Sequence, residues 1–313
     1  MENFLICFNA ILPVFLMLGV GVLARHAGII RETEVPRMNA VAFKVFMPIM
    51  CFYNIYASDL SSSVRPALML YSVLAVLGVY LFSWLLGRLF VKELPQRGVV
   101  IQGLYRSNFL ILGFPVVTSL LPNGDAGVVA VLAAVVVVPL FNNLAVLTLE
   151  SCSGEKRSRG TLLIDCLKNP LVLGSAAGVL ALLVGLKLPA GVEHAVRDLS
   201  RVASPLMLFL LGAFFRFSSF RGQGARLVSV CLGRLVVFPA LALTGAALLG
   251  FRGMEFAALL AAFASPTAVA SFTMAEQMGG DAELAGNIVV MTSLLSSLTM
   301  FLWCYLFKSL GMY

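Results

Sequence analysis

Ten stretches of this 313-residue chain stay apolar for about as long as a helix needs to cross the hydrocarbon core of a bilayer, roughly 20 residues. They cover residues 4–24, 36–57, 66–88, 98–121, 126–148, 169–186, 198–216, 226–249, 254–276 and 284–307. Hydrocarbon gives the backbone no hydrogen-bond partner, so a spanning segment must be a helix or a strand of a closed barrel. Barrel strands alternate polar and apolar residues over about ten positions, and runs such as 128–149 keep no such alternation. The expected fold is therefore an all-α integral membrane protein with ten transmembrane helices. Composition agrees: 60% hydrophobic residues, 12% charged and a mean hydropathy of +0.98 leave too little polar surface to coat a soluble globule. The longest connection, Glu150 to Lys168, is too short for a separate soluble domain, so residues 1–313 read as a single transmembrane domain. The first run has no basic segment before it, and its first arginine, Arg25, follows it. It reads as a retained span and not as a signal peptide.

Lysine and arginine in short loops set orientation, because they are retained on the cytoplasmic side. If the chain starts outside, 13 of them fall in inner loops: Arg25, Arg31, Arg37, Arg88, Lys92, Arg97, Lys156, Arg157, Arg159, Lys168, Arg216, Arg221 and Arg226. Only 6 fall outside: Arg65, Lys187, Arg197, Arg201, Arg252 and Lys308. Both termini are expected outside a multi-pass protein of the cell (inner) membrane. The 6 cysteines have no paired spacing and read as small apolar residues. No metal site, cofactor or nucleic-acid partner is expected; the partners are the lipid bilayer and a small substrate, and a homodimer is compatible with this plan.

An internal repeat organises the chain. Pro13, Gly21-Val22-Leu23-Ala24, Gly28, Pro48, Met50 and Phe52 recur as Pro170, Gly178-Val179-Leu180-Ala181, Gly185, Pro205, Met207 and Phe209, each displaced by 157. The duplicates are repeat A, residues 1–148, and repeat B, residues 165–313, joined by an inner linker at 149–164. Each half carries five spans, an odd number, so the second copy enters from the opposite side. A 5+5 inverted repeat follows, which suits alternating access about a site at the midplane.

Two spans carry breaks. The fourth contains Gly113-Phe114-Pro115 and the ninth contains Ala264 to Phe272, with Pro115 and Pro266 displaced by 151. Proline lacks a backbone donor and disrupts the helix before it. The segments from Val116 and from Thr267 are then expected to begin with unpaired N–H groups and a partial positive charge of about half an elementary charge. If the spans cross, both ends meet at the midplane and hold an anion. Asn108, two turns before Pro115, adds two donors suited to a carboxylate.

The segments MNAVAFKVFMPIMCF (38–52), SNFLILGFPV (107–116) and SPTAVASFTMAEQMGG (265–280) resemble those of the auxin efflux carrier family, which includes the plant PIN-FORMED auxin carriers and bacterial malonate or malate permeases. The resemblance covers nearly the whole chain. It implies crossed, broken helices four and nine, the plan also found in bile-acid symporters, with a scaffold set apart from a transport unit. Asn108 and Pro115 match the family's motif at the crossing, and Pro266 matches its counterpart. The large hydrophilic central loop of the long plant carriers is missing here, which favours a compact prokaryotic carrier of small acids.

The expected substrate-binding residues are Asn108, Gly113, Pro115, Ser265, Pro266, Thr267, Asn142 and Arg106. Each has a plainer alternative. Hydroxyls in membrane helices commonly bond their own backbone, asparagines bridge helices, and Arg106 is close enough to an inner loop to snorkel. Pro13, Pro48, Pro139, Pro205 and Pro239 read as kinks or packing features, and the Gly174–Gly178 pair as a close helix contact within the monomer. Lys44 and Arg234 are further cations within spans. No Asp or Glu lies at the centre of any span; Glu255 and Glu276 sit near the ends of the ninth. That pattern favours uniport, or coupling through carbonyls and amides, over a carboxylate relay.

These features point to a secondary transporter of small organic anions: mono- or dicarboxylates such as malate or malonate, or auxin-like acids. The alternative is a sodium-coupled symporter of the bile-acid type. A channel is less favoured, since the spans supply no continuous polar ladder. An enzyme is not expected, because no paired aspartates, metal cluster or Ser/His dyad stands in the spans.

Overall fold

Proline shapes the local geometry of this molecule more than any other residue. Its ring pushes away the carbonyl four residues back, which kinks, widens or breaks the helix ahead of it. In the computed structural model, which describes residues 2–31, 33–58, 64–120, 126–153, 159–216 and 223–313, four prolines each follow a π-turn ending two residues earlier. These turns are Ala42–Phe46 before Pro48, Phe109–Gly113 before Pro115, Leu132–Val137 before Pro139 and Gly233–Val237 before Pro239. The wider turn accommodates the ring and lets the helix continue. Pro13 and Pro205 sit in α-helix without such a turn. Lys156, Arg157 and Arg221, three of the inner-loop cations, lie outside the described residues.

All regular structure among the described residues is helical. Counting each π-turn with its helix, there are α1 (Glu2–His26), α2 (Val35–Tyr56), α3 (Pro66–Phe90), α4 (Leu94–Tyr105), α5 (109–120), α6 (Gly127–Ser151) and α7 (Arg159–Lys168). They are followed by α8 (Pro170–Leu183), α9 (Ala190–Phe214), α10 (Gly224–Leu248), α11 (Gly253–Ala264), α12 (Ala270–Gln277) and α13 (Ala282–Ser309). Five of them, α2, α3, α6, α10 and α13, are long and apolar enough to cross a membrane. The apolar runs at 98–121 and 254–276 do not form single helices: each is split, into α4 and α5 and into α11 and α12. Leucines on the outer surface, such as Leu248 at 83% exposure, cost free energy in water and none in lipid.

Two groups of helices pack within themselves, and α1 joins them by also packing on α13. In one, α1 lies along α9, α8 along α2, and α9 also meets α2. Glycine makes these approaches possible. A Cβ on Gly21 would run into the Phe209 carbonyl, one on Gly178 would meet the Phe52 carbonyl at 2.8 Å, and one on Gly174 would meet that of Pro48 at 2.5 Å. Absence of a side chain is what lets two backbones touch. In the other group α3 packs on α4 and α6, α10 on α11, and α13 on α10 and α12. The local turns repeat as the sequence does: Gly28 and Gly185 both take positive φ (70° and 62°) at helix ends, where only glycine is unstrained. The bonds they permit, Ile29 N–H to the Ala24 carbonyl at 3.0 Å and Leu186 N–H to the Ala181 carbonyl at 2.9 Å, are again 157 apart.

The break in the fourth apolar run falls earlier than its proline suggests. The chain leaves helix at Arg106, runs extended through Ser107, and re-enters at Phe109 with Asn108 as the N-terminal cap. Pro115 is inside α5, where the π-turn absorbs it, so Val116 does not begin a helix. Pro115 and Pro266, 151 apart, do not occupy matching places relative to the two breaks. α4 (94–105) and α11 (253–264) are both 12 residues long and are displaced by 159. On that displacement Ser107, and not Pro115, stands where Pro266 stands.

A candidate anion site at the crossing of two broken helices

A helix interrupted in an apolar surrounding leaves donors and acceptors that must find partners. Here the two interruptions satisfy each other. Ser107 and Thr267 face across an antiparallel bridge, with the Asn108 N–H donating to the Pro266 carbonyl at 2.8 Å and the Ala268 N–H to the Arg106 carbonyl at 3.3 Å. Thr267 braces the bridge: its hydroxyl donates to the Gly103 carbonyl at 2.7 Å, and its N–H donates to Thr292 Oγ1 at 3.3 Å.

On one side of the bridge the first turns of α5 and α12 converge. They line a small pocket with Arg106, Ser107, Asn108 and, from α6, Phe141 and Asn142. The N–H groups of Phe109, Leu110 and Ile111 have no helical carbonyl four residues back, as at any helix start, and the end carries partial positive charge. Two side-chain groups in the lining are buried without any partner: Asn108 Nδ2 and Ser107 Oγ. Arg106, 2% exposed, donates to Asn142 Oδ1 at 2.6 Å and touches Met274 Sδ at 2.9 Å. No carboxylate among the described residues pairs with it. Asn142 is in turn held by its own donation to Cys51 Sγ at 3.2 Å. Arg106 does not reach an inner loop; it is fixed beside the pocket. Across the pocket stand Met50 and Met207, a pair separated by the 157-residue displacement. The free room is about 60 Å³, enough for about four to six water-sized groups at roughly 10–15 Å³ each.

On the other side of the bridge the carbonyl ends of α4 and α11 converge, and a fully buried arginine on α10 meets them. The Arg234 guanidinium donates to Ser265 O at 2.9 and 2.7 Å, Phe263 O at 3.2 Å, Ala262 O at 3.4 Å and Tyr105 O at 3.2 Å. Sequence reasoning noted this arginine as a charge within a span and gave it no partner. Its position one residue into the π-turn before Pro239 was the available signal.

Of the eight residues expected at the site, Arg106, Asn108 and Asn142 line the pocket. The other five build the crossing instead. Gly113 lets α5 lie against α11, where a Cβ would meet the Ala261 carbonyl at 2.5 Å. Ser265 donates to that same carbonyl at 2.6 Å, Thr267 and Pro266 serve the bridge, and Pro115 sits behind its π-turn in α5. Sequence reasoning missed Ser107 as a pocket residue. Asn39 lies away from the pocket: it donates to Glu276 Oε2 at 2.7 Å, and with Gln277 donating to the Pro36 carbonyl at 3.3 Å it ties α2 to the end of α12. A larger cavity among the described residues, about 520 Å³, is an apolar groove lined by α3, α4 and α10; the crossing pocket is where donors and charge meet.

The family model described as Membrane transport protein matches residues 6–304 of this chain. An uncharacterized transporter of Methanothermobacter thermautotrophicus is 26% identical over 302 residues, covering 94% of this chain and 96% of its own length. A second uncharacterized transporter, from Methanocaldococcus jannaschii, is 24% identical over 314 residues, covering 96% of this chain and 98% of its own.

Proposed function

The chain belongs to the auxin efflux carrier family of membrane transport proteins, and on that premise we propose that it is a secondary carrier of small organic anions with its substrate site in the crossing pocket. The observation that carries the reading is the pair of unsatisfied donors, Asn108 Nδ2 and Ser107 Oγ, buried beside an arginine that no acid among the described residues neutralises. A buried donor without a partner costs about 1–3 kcal/mol, and an unpaired cation in a span costs several more. An anion in the pocket removes both costs at once. Arg106 contributes one positive charge and the two helix starts about half a charge each, so the pocket complements a dianion. Its size favours a short dicarboxylate over a bulky aromatic acid such as auxin.

The proposed architecture is ten spans as two inverted repeats, 1–148 and 165–313, with both termini outside the cell membrane and the substrate reached alternately from each side. Reciprocal contacts support it. Gly21 of the first half meets Phe209 of the second, and Gly178 meets Phe52; each pair becomes the other when the 157-residue displacement is applied in both directions. The same holds for Met50 and Met207 facing one pocket. Helices α1, α2, α8 and α9 then form the scaffold, and the rest carry the crossing. With no acid among the described residues that line the pocket to take up a proton, the carried anion moves net charge.

The test is uptake of malonate, malate, acetate and indole-acetate into proteoliposomes of the purified protein, with and without sodium and pH gradients. Saturable, charge-moving flux of the short dicarboxylates without either gradient is the expected result. Strict sodium dependence would transfer the protein to the symporter reading, and flux that never saturates would make it a channel.

A further inference from the structure

Arg234 lies on the face of the crossing opposite the pocket and bonds to none of its lining, yet it is 0% exposed and donates to backbone carbonyls at the ends of the two broken helices. Helix ends of this kind carry about half a negative charge each. Two of them meet here, α4 ending at Tyr105 and α11 at Ala264, and the sum is about one negative charge on the far side of a bridge two residues wide. Left alone, that charge would oppose the positive helix starts facing the pocket, since fields in a low-dielectric interior are weakly screened. The one full positive charge of Arg234 matches it.

The mechanical consequence follows from the same bonds. Arg234 grips Tyr105 on one broken helix and Ala262, Phe263 and Ser265 on the other, so one rigid planar fork holds both strands of the bridge. The crowding of Gly233 against Leu104, where a Cβ would come within 2.5 Å of Leu104 Cδ2, keeps α10 close enough for that reach.

We infer that Arg234 is a positioning residue for the anion site: it cancels the carbonyl ends of α4 and α11 and clamps the Ser107–Thr267 bridge, so that the opposite face presents net positive charge to the substrate. This rests on the reading of the pocket as an anion site. Electrostatic action through the bridge has a signature that a packing role lacks. The energy of a charge in a fixed potential scales with its charge, so losing Arg234 should weaken a dianion by about the square of the factor for a monoanion of the same size.

The experiment measures the affinities of malonate and malonamate, matched in size and differing by one charge, for the parent, Arg234→Gln and Arg234→Lys, together with hydrogen exchange of the empty proteins. For Arg234→Gln the expected losses are about threefold for malonamate and about tenfold for malonate. Arg234→Lys keeps the charge and loses the fork, so its ratio of the two affinities should stay at the parent's value. In both variants the amides of Asn108 and Ala268, which form the bridge, should exchange at least tenfold faster while those of α1 and α9 are unchanged. Equal losses for the two anions in Arg234→Gln, or bridge amides that exchange at the parent rate in Arg234→Lys, overturn the inference. If the glutamine variant does not assemble, the exchange of the lysine variant decides alone. If the parent binds neither anion, the carrier reading fails, and the exchange arm still judges the clamp.

Discussion

Replacing Asn108 by alanine should move stability and binding in opposite directions. In the empty protein the Asn108 Nδ2 group is buried with no partner, and the side chain makes no capping bond at the start of α5. Its removal therefore takes away a desolvation cost of about 1–3 kcal/mol and breaks no bond, while the bridge, built on the Asn108 backbone N–H, stays. With an anion bound, the same group is a donor to a carboxylate, and such bonds contribute about 1.5–3 kcal/mol. The affinity for malonate should fall roughly ten- to hundredfold, and the melting temperature of the empty protein should equal or exceed the parent's. Calorimetric titration and thermal melting of the two proteins in the same detergent measure both. An alanine variant that melts well below the parent and binds malonate as tightly would refute the reasoning, because Asn108 would then be holding the fold and not waiting for a ligand.

Arg106→Gln should weaken malonate by more than tenfold and malonamate by less, read by the same titration, since it removes the pocket's one full charge. Pro115→Ala restores an N–H that lets the π-turn Phe109–Gly113 tighten to α-helix; uptake should drop severalfold with the elution profile unchanged. Pro13→Ala, in an exposed stretch of α1 without a π-turn, should transport as the parent does; Pro239→Ala is not a neutral control, because its π-turn carries Arg234. Cysteines introduced at Ser62 and Ser158, both outside the described residues, should be labelled by a membrane-impermeant maleimide from outside and from inside respectively; the reverse pattern overturns the orientation. The native Cys166 thiol, next to the inner linker, has its pKa raised by partial burial and then by Glu150 and Asp165. Raising the pKa favours the protonated form, so its alkylation should be slower in the folded than in the unfolded protein below the folded pKa, and the two rates should converge as pH rises through it.

The membrane class and the all-helical fold were legible because they depend on local pattern: the length of apolar runs without alternation. That the fourth and ninth runs break was legible from their prolines. The place of the break was not, because a proline acts on the turn before it and the backbone had two ways to respond. At Pro115 it widened into a π-turn, and at Pro266 it opened into the bridge. Aligning one proline with the other therefore does not align the two breaks. Arg106 was ambiguous because snorkelling and burial differ only in what packs above it, and Asn142, 36 residues away, decides that. The hydroxyls of Ser265 and Thr267 bond the Ala261 and Gly103 carbonyls, partners that residue type alone does not reveal.

The glycine contacts between α1 and α9 and between α8 and α2 bear on how this sequence can drift. Where two backbones touch with no atom between them, the separation of the helix axes has no slack, and even a methyl group must displace a whole helix. Because Phe209, which Gly21 meets, and Phe52, which Gly178 meets, stand one turn or less from Met207 and Met50, such a displacement is felt at the pocket. Substitutions at Gly21, Gly174 and Gly178 are thus confined to a single residue type, while Leu23, Leu180 and Leu183, exposed on the same helices, are free to exchange among apolar residues. In a saturating mutational scan the scaffold would show as alternating intolerant and permissive stripes three to four residues apart, the pitch of one helix turn.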